Sequence, residues 1–218
     1  MKGRERAVVV AYSTARFPFA ELVAREVFAV GELRALHDEA RRRKRACNEP
    51  NELAYADNLA WRKLLENLAD DHAFYELYHT FAHDVLAPRF HGRITYSAHP
   101  TFRVHLAGTS TVSRWHTDAQ VTGRLDQINV WLPLVDASGS NTLWVEGDYD
   151  SGDYAPVAVR YGQALLFDGG LLRHGSVANV SPVTRVSIDF RFAPRDSADA
   201  HAILGGRYGF VPTALKNV

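Results

Sequence analysis

The spacing of hydrophobic residues divides the chain into two stretches with different periods. From residue 19 to 87, apolar positions recur at helical spacing. The clearest such face is formed by Phe74, Leu77, Tyr78, Phe81 and Val85. Pro88 follows it and is expected to end that helix. Two earlier helices are predicted from Leu33, Leu36 and Ala40, and from Leu53, Leu59, Trp61 and Leu64.

Beyond about residue 92 the hydrophobic period becomes two, which is typical of strands with one buried face. Short alternating segments continue to about residue 193, separated by Gly, Asp, Ser and Pro. A helical start followed by many short strands predicts a mainly β fold with a helical buttress. The specific expectation is a double-stranded β-helix (a jelly-roll or cupin-like barrel) over residues 93–193. Residues 194–218 are expected to form a loop and a short tail that folds back, and residues 1–218 one domain.

Composition narrows the function classes. Lys plus Arg and Asp plus Glu number 25 each, so the chain lacks the basic excess expected of a nucleic-acid binder. No apolar run approaches the length of a membrane span. The single cysteine, Cys47, cannot form an internal disulfide, which favours a reducing, cytoplasmic setting.

The candidate chemistry lies in the strand-rich part. His116 and Asp118 are two residues apart, and on a strand such residues share a face. A second histidine, His174, lies on another predicted strand. Two histidines and one carboxylate form the facial triad of non-haem Fe(II) sites, which leaves the opposite coordination positions open. A polar pair on a solvent-facing strand is the alternative interpretation of His116 and Asp118.

Arg185 is the second candidate feature. The intervening positions of its strand are apolar, so the alternation directs Arg185 inward, where an unpaired guanidinium would be costly. A bound dicarboxylate would satisfy it through a bidentate, charge-assisted contact. Asp189 and Arg191 share the inward face, so an internal ion pair is the structural alternative.

Together these residues resemble the Fe(II)/2-oxoglutarate-dependent dioxygenases, within the phytanoyl-CoA-dioxygenase-like superfamily, over about residues 95–193. The resemblance rests on His116-Thr117-Asp118, on His174 with Ser176 two residues later, and on Arg185 eleven residues after His174. The segments 129–134, 140–145 and 166–170 are similar to dioxygenases of aminoglycoside-antibiotic pathways, such as the streptomycin-cluster type.

The resemblance implies a role for each matched residue. His116, Asp118 and His174 would hold Fe(II). Arg185, helped by Ser176 or Ser187, would hold the distal carboxylate of 2-oxoglutarate. Oxidative decarboxylation with O2 would then give succinate, CO2 and an oxidant that abstracts hydrogen from a small-molecule substrate. Because Asp118 is present, halogenation is not expected.

Three further positions point inward by alternation: Arg103, His105 and Asn129. Arg103 could hold the metal-proximal carboxylate of 2-oxoglutarate or a group of the substrate, and Asn129 is also a candidate cofactor contact. Ordinary barrel packing is the alternative for all three.

The loop from Glu146 to Tyr154 suggests the substrate class, because it carries four carboxylates and two tyrosines. If it borders the site, Glu146, Asp148 and Tyr149, with Asp189, would suit a cationic amino sugar or aminocyclitol. The alternative is a solvated acidic loop. Hydroxylation or oxidative ring closure of an aminoglycoside-like molecule is therefore the functional expectation, with an amino acid or acyl thioester as alternative substrates.

Two other classes of function remain open: a cupin-like metal-binding or isomerising barrel, and a non-catalytic interaction module. His72, His79 and His83 share a helix face but lack a zinc-binding pattern, so a solvated or lightly buried polar face is expected. The basic run 41–45 is expected to be the cationic C-terminal end of a helix.

Overall fold

The protein is described by a computed structural model over residues 6–91, 93–194 and 209–213. The first half is mostly helical. Its α-helices are α1 (Phe19–Leu22), α2 (Leu36–Ala46), α3 (Tyr55–Glu66) and α4 (Ala73–Phe81), and a short α5 (Ala119–Thr122) follows later. π-helical turns at Val23–Phe28 and Ala82–Leu86 extend α1 and α4, and 3-10 turns lie at Leu33–Ala35, Ala87–Phe90 and Gly139–Asn141.

The strands form two antiparallel sheets. The strands are β1 (Ala7–Ala11), β2 (Ile94–Ser97), β3 (Thr101–His105), β4 (Ile128–Pro133), β5 (Trp144–Glu146), β6 (Tyr154–Pro156), β7 (Gln163–Phe167), β8 (His174–Gly175), β9 (Arg185–Pro194) and β10 (Phe210–Pro212). The large sheet has seven strands in the order β1-β7-β4-β9-β2-β10, with β3 also paired to β9. The small sheet has the order β6-β5-β8.

The large sheet lies between the helices and the small sheet. Its helix-facing side belongs to the main core, where Val186, Ile188 and Phe190 pack with Phe74 and Phe81. Its other side contributes Trp131 and Phe167 to a smaller cluster with Val145 of the small sheet. The expected mainly β fold with a helical buttress is therefore confirmed, whereas closure into a barrel is not detected among the described strands.

The helices lie where the hydrophobic pattern predicts them, with small differences in where they end and which residues they bury. Helical backbone continues past Pro88 to Phe90, because this proline starts a 3-10 turn, where its missing N–H costs nothing. In α3 the exposed residues include Leu59 and Leu64, while Trp61 and Leu65 face the core. The histidines expected on a lightly buried face are half-buried, and His79 lies 2.9 Å from the Tyr96 hydroxyl.

Two end strands complete the large sheet. The apolar run at Ala7–Ala11, not predicted as a strand, pairs with β7. β10 pairs with β2, as expected of a tail that folds back. Residues 195–208 and 214–218 lie outside the described residues. Among the described helices, none has the length and apolar character of a membrane span.

Candidate metal centre and its cavity

The two histidines of the motif are brought together by backbone pairing. His116 forms an isolated antiparallel bridge with His174 of β8, with N–H···O distances of 3.0 and 2.9 Å. Their rings lie 4.4 Å apart between centroids. The 58-residue separation in sequence is thus closed by the bridge itself, with both imidazoles on one side of it.

Asp118 reaches the same point by a different route from the one predicted. It lies in a turn at the start of α5 with right-handed helical backbone angles, not on a strand. Its N–H donates to the carbonyl of Gly169 at 2.7 Å, which fixes the turn against the end of β7. The strand explanation for the convergence of His116 and Asp118 is therefore wrong, although the convergence itself is present.

The ligand atoms of the three residues lie within 4.8 Å of one another. Asp118 Oδ1 is 3.3 Å from Nε2 of His116 and 3.7 Å from Nε2 of His174. Within the described ranges this is the one His, Cys, Asp and Glu cluster with metal-ligand geometry. Two imidazole nitrogens and one carboxylate oxygen are the donor set expected for a divalent transition metal such as Fe(II).

Backbone carbonyls orient both imidazoles. Nδ1–H of His116 donates to the carbonyl of Arg114 at 2.7 Å, and Nδ1–H of His174 donates to that of Leu172 at 3.0 Å. Each ring therefore directs its Nε2 at Asp118 and, with Nδ1 carrying a proton, leaves Nε2 as the nitrogen that can bind a metal. The residues present fit a bound metal ion.

The second oxygen of Asp118 has its own partners. Asn129 Nδ2 donates to Oδ2 at 2.6 Å, and Arg191 Nε donates to it at 2.5 Å. Burial alone would raise the pKa of Asp118, but the hydrogen bonds from His116 and Arg191 outweigh it and hold that pKa below its usual range. The sequence placed Arg191 only on the inward face, and its position opposite Asn129 became apparent only from the pairing of β4 with β9.

Arg185 is buried at 1% exposure and lines the same cavity as the three ligand residues. Its Nη1 donates to the carbonyls of Asn141 and Thr142 at 3.1 and 3.0 Å, while its Nε has no partner among the described residues. Burial, with the charge of Arg103, lowers its pKa to about 9, so it remains a cation at neutral pH. In the described structure the inward carboxylates pair elsewhere, Asp189 with Arg103 and Asp118 with Arg191.

His105 lies directly opposite Arg185 in the β3–β9 pairing and is fully buried. Its Nε2–H donates to the carbonyl of Ser110 at 2.9 Å, and its Nδ1 has no partner in the part of the chain described. Burial, reinforced by the charge of Arg185, lowers the pKa of His105 to about 3. The ring is therefore neutral throughout the physiological range.

This depressed pKa predicts acid-sensitive folding. The unfolded chain binds a proton at His105 below its ordinary pKa of 6.5, and the folded chain does so only near pH 3, so stability falls as pH drops between these values. The unfolding free energy of the wild type should drop between pH 7 and pH 4. We expect that drop to be about 3 kcal/mol smaller in His105→Gln. Denaturant titration at both pH values checks this. An unchanged pH dependence, equal to that of a variant at the exposed His91, would contradict it.

The remaining predicted contacts differ in their surroundings and in their hydrogen-bond partners. Arg103 and Asp189 line the cavity and pair with each other at 3.2 Å. Ser187 is buried on the same face of β9, and its hydroxyl has no partner within the described ranges. Ser176 has other partners: its hydroxyl accepts N–H groups of Val112 and Ser113 and contacts Thr111, holding that loop to β8.

The acidic loop connects β5 and β6, and its residues Glu146 and Asp148 already have partners. Both oxygens of Glu146 accept backbone N–H groups, from Gly152 at 2.7 Å and Arg173 at 3.2 Å. Asp148 is paired with Arg6, and the Tyr149 hydroxyl donates to Asp168 at 2.9 Å. Of the four predicted substrate contacts, Asp189 alone lines the cavity of the metal centre as described.

That cavity is small, with a free volume of about 40 Å³. Its lining residues include the three ligand residues, Arg103, Asn129, Arg185, Asp189 and Arg191. A larger cavity of about 380 Å³ lies beyond the other end of β4, next to Glu21, Asp136 and Tyr161. None of the predicted site residues lines it, so the chemistry is assigned to the smaller cavity.

Comparison with known proteins identifies a family for the chain. No family model matches the chain. Streptomycin biosynthesis protein StrG of Streptomyces griseus is 34% identical over 164 residues, which cover 72% of this chain and 78% of the relative. The chain belongs to the StrG family, which confirms the expected similarity to a protein of the streptomycin cluster.

Solved structures add information on the fold. EctD from S. alaskensis, in its apo form, is 14% identical with a TM-score of 0.53, over 87% of this chain and 73% of EctD. It shows that the two proteins share a fold. The epimerase SnoN, solved with Fe3+, alpha ketoglutarate and nogalamycin RO, is 15% identical with a TM-score of 0.45, over 95% of this chain and 94% of SnoN.

Proposed function

We propose that the protein is an Fe(II)- and 2-oxoglutarate-dependent dioxygenase that oxidises an unactivated C–H bond of a small, cationic amino-sugar or aminoglycoside-like metabolite in antibiotic biosynthesis. The observation that carries this proposal is the convergence of His116, Asp118 and His174 in one cavity with a buried arginine that has no carboxylate partner within the described residues. We also infer that the two sheets correspond to the double-stranded β-helix of these enzymes.

His116, Asp118 and His174 would hold the metal. With its cofactors bound, this centre would supply the oxidant, with 2-oxoglutarate and O2 converted to succinate and CO2. The protein contributes fixed ligand orientation, since each imidazole is held by a carbonyl and the carboxylate by two donors. It also limits access of water to two of the three ligands, because the Asp118 and His174 side chains are 3% and 7% exposed.

Arg185 would bind the distal carboxylate of 2-oxoglutarate. Its guanidinium is desolvated, and two neutral carbonyls do not balance its charge, so a carboxylate would gain a charge-assisted contact there. The buried Ser187 hydroxyl on the same strand face would add a donor. Both groups are held by a strand whose opposite face is core, which fixes their positions.

Arg103 would take the metal-proximal carboxylate. In the described structure its partner is Asp189, and the free volume of about 40 Å³ would hold only about two or three waters. Entry of the cofactor would therefore require the Arg103–Asp189 pair to open. Arg103 would then exchange one carboxylate for another, and Asp189 would become available to the substrate.

The amino-sugar assignment rests on two features beside the metal centre. A released Asp189 would supply one carboxylate for a substrate amine within the cavity. The half-exposed Trp115, which precedes His116, contacts Tyr154 with ring centroids 4.4 Å apart. Exposed aromatic rings suit stacking on a sugar and cation–π contact with an amine. Kinship with StrG, a streptomycin biosynthesis protein, supports the same class.

The test is an anaerobic titration of the purified protein with Fe(II) and then 2-oxoglutarate, followed by the weak visible charge-transfer band of the chelate. Aminoglycosides and their precursors are then screened for succinate release. We expect a band at one equivalent of each and substrate-dependent succinate. Turnover of an amino acid or acyl thioester with no aminoglycoside turnover would keep the chemistry and overturn the substrate class. Absence of a band with metal bound would favour the cupin-like barrel.

A further inference from the structure

The two oxygens of Asp118 have different surroundings. Oδ1 faces the two imidazole nitrogens, at 3.3 and 3.7 Å. Oδ2 faces away from them and receives two hydrogen bonds, from Asn129 at 2.6 Å and from Arg191 at 2.5 Å. A carboxylate can bind a metal through one oxygen or through both, so these two donors bear on the coordination itself.

The two donors are held as a unit by the large sheet. Asn129 of β4 and Arg191 of β9 are directly opposite each other in the antiparallel pairing. Gly169 completes the arrangement, because a Cβ at that position would lie 2.4 Å from Asn129 Cγ. The carbonyl of Gly169 also accepts the N–H of Asp118, so this glycine contacts both partners.

We propose that Asn129, Arg191 and Gly169 form an Asp118 clamp that reserves Oδ2 and so limits Asp118 to one-oxygen metal ligation. With the clamp intact, the metal keeps three positions for exchangeable ligands, which 2-oxoglutarate and O2 need. The inference rests on the proposed function for its metal site. All three are positioning residues, and Asn129 acts through Asp118 instead of contacting the cofactor.

Gly169→Ala tests the clamp without changing any charge. The added methyl displaces Asn129 from Asp118 while leaving every polar group in the chain. Gly170→Ala is the matched control, since its Cβ would meet its nearest neighbours at 3.4 and 3.5 Å, ordinary contact distances. Both proteins are titrated with Mn(II) alone, and the affinity and the water-proton relaxation enhancement of the bound metal are measured.

For Gly169→Ala we expect Mn(II) affinity to fall about 10- to 100-fold, as for other partners that orient metal ligands. We also expect bound Mn(II) to lose about one of its three exchangeable waters, because Oδ2, left with Arg191 as its remaining donor of the clamp, becomes able to take that position. Gly170→Ala should match the wild type in both. Relaxation enhancement counts open positions, so a change in stability alone would not alter it.

Arg191→Met and Arg191→Lys provide an independent comparison should Gly169→Ala fail to fold. Met removes the donor and should lower the relaxation enhancement, and Lys restores a donor and should recover it. Equal enhancement in the wild type, Gly169→Ala and Arg191→Met overturns the clamp. A wild-type protein that binds no Mn(II) overturns the proposed metal site instead, so the two failures are distinguishable.

Discussion

Asp118→Asn is expected to abolish Fe(II) binding and, with it, all turnover. Asp118 is the one carboxylate of the candidate triad within the described residues, and its Oδ1 faces the two imidazole nitrogens. Asn keeps the shape of the side chain but cannot supply a charged oxygen. We expect metal affinity to fall by more than the roughly 100-fold seen for residues that only orient ligands. Anaerobic Fe(II) titration measures this directly.

The control for this prediction is Asp153→Asn, which removes a carboxylate from the exposed loop between β5 and β6. It should bind Fe(II) like the wild type. Asp118→Asn also leaves Arg191 without its ionic partner, at a cost of about 1–3 kcal/mol in unfolding free energy, so folding is verified by circular dichroism. Wild-type Fe(II) affinity in folded Asp118→Asn would show that the triad is not the metal site.

Arg185→Met is expected to abolish 2-oxoglutarate binding while Fe(II) binding persists. Met is apolar and carries neither charge nor donor, so it removes the group that would hold the distal carboxylate. The same change removes an uncompensated buried cation but also the donor to the carbonyls of Asn141 and Thr142, so we expect the unfolding free energy of the ligand-free protein to change by no more than about 1–3 kcal/mol. Loss of binding without a large loss of stability marks a residue retained for function.

Arg160→Met, at an exposed position, is the control and should change neither property. Isothermal titration with 2-oxoglutarate in the presence of Mn(II), together with denaturant unfolding, gives both values. A strongly destabilised Arg185→Met that still binds 2-oxoglutarate would assign Arg185 to packing. Activity preserved in Arg185→Ala would favour the cupin-like alternative, which has no use for a cation at this position.

Local pattern was sufficient for most of the elements and for most of the candidate site. The period-two segment at Val186, Ile188 and Phe190 identified the core face of β9 and therefore the inward direction of Arg185. Both follow from strand geometry, in which alternate side chains share a face. The His116-x-Asp118 spacing also identified two residues that converge in the structure, although Asp118 lies in a turn and not on a strand.

The partners of the charged groups could not be read from the sequence. Asp189 and Arg191 share the inward face of β9 with Arg185, yet they pair with Arg103 and Asp118. Glu146 belongs to a loop rich in acids, yet backbone N–H groups occupy both its oxygens. Alternation gives the face of each side chain but not which neighbour lies across the sheet.

The sequence by itself thus determined the helical and strand-rich halves, the three candidate ligands and the buried arginine, because these depend on residue type and short-range period. The tertiary structure decided which charges are balanced, which oxygen of Asp118 faces the imidazoles, and why residue 169 has no side chain. Those outcomes depend on strand order and register, which bring together residues such as Asp118 and Arg191 from distant parts of the chain.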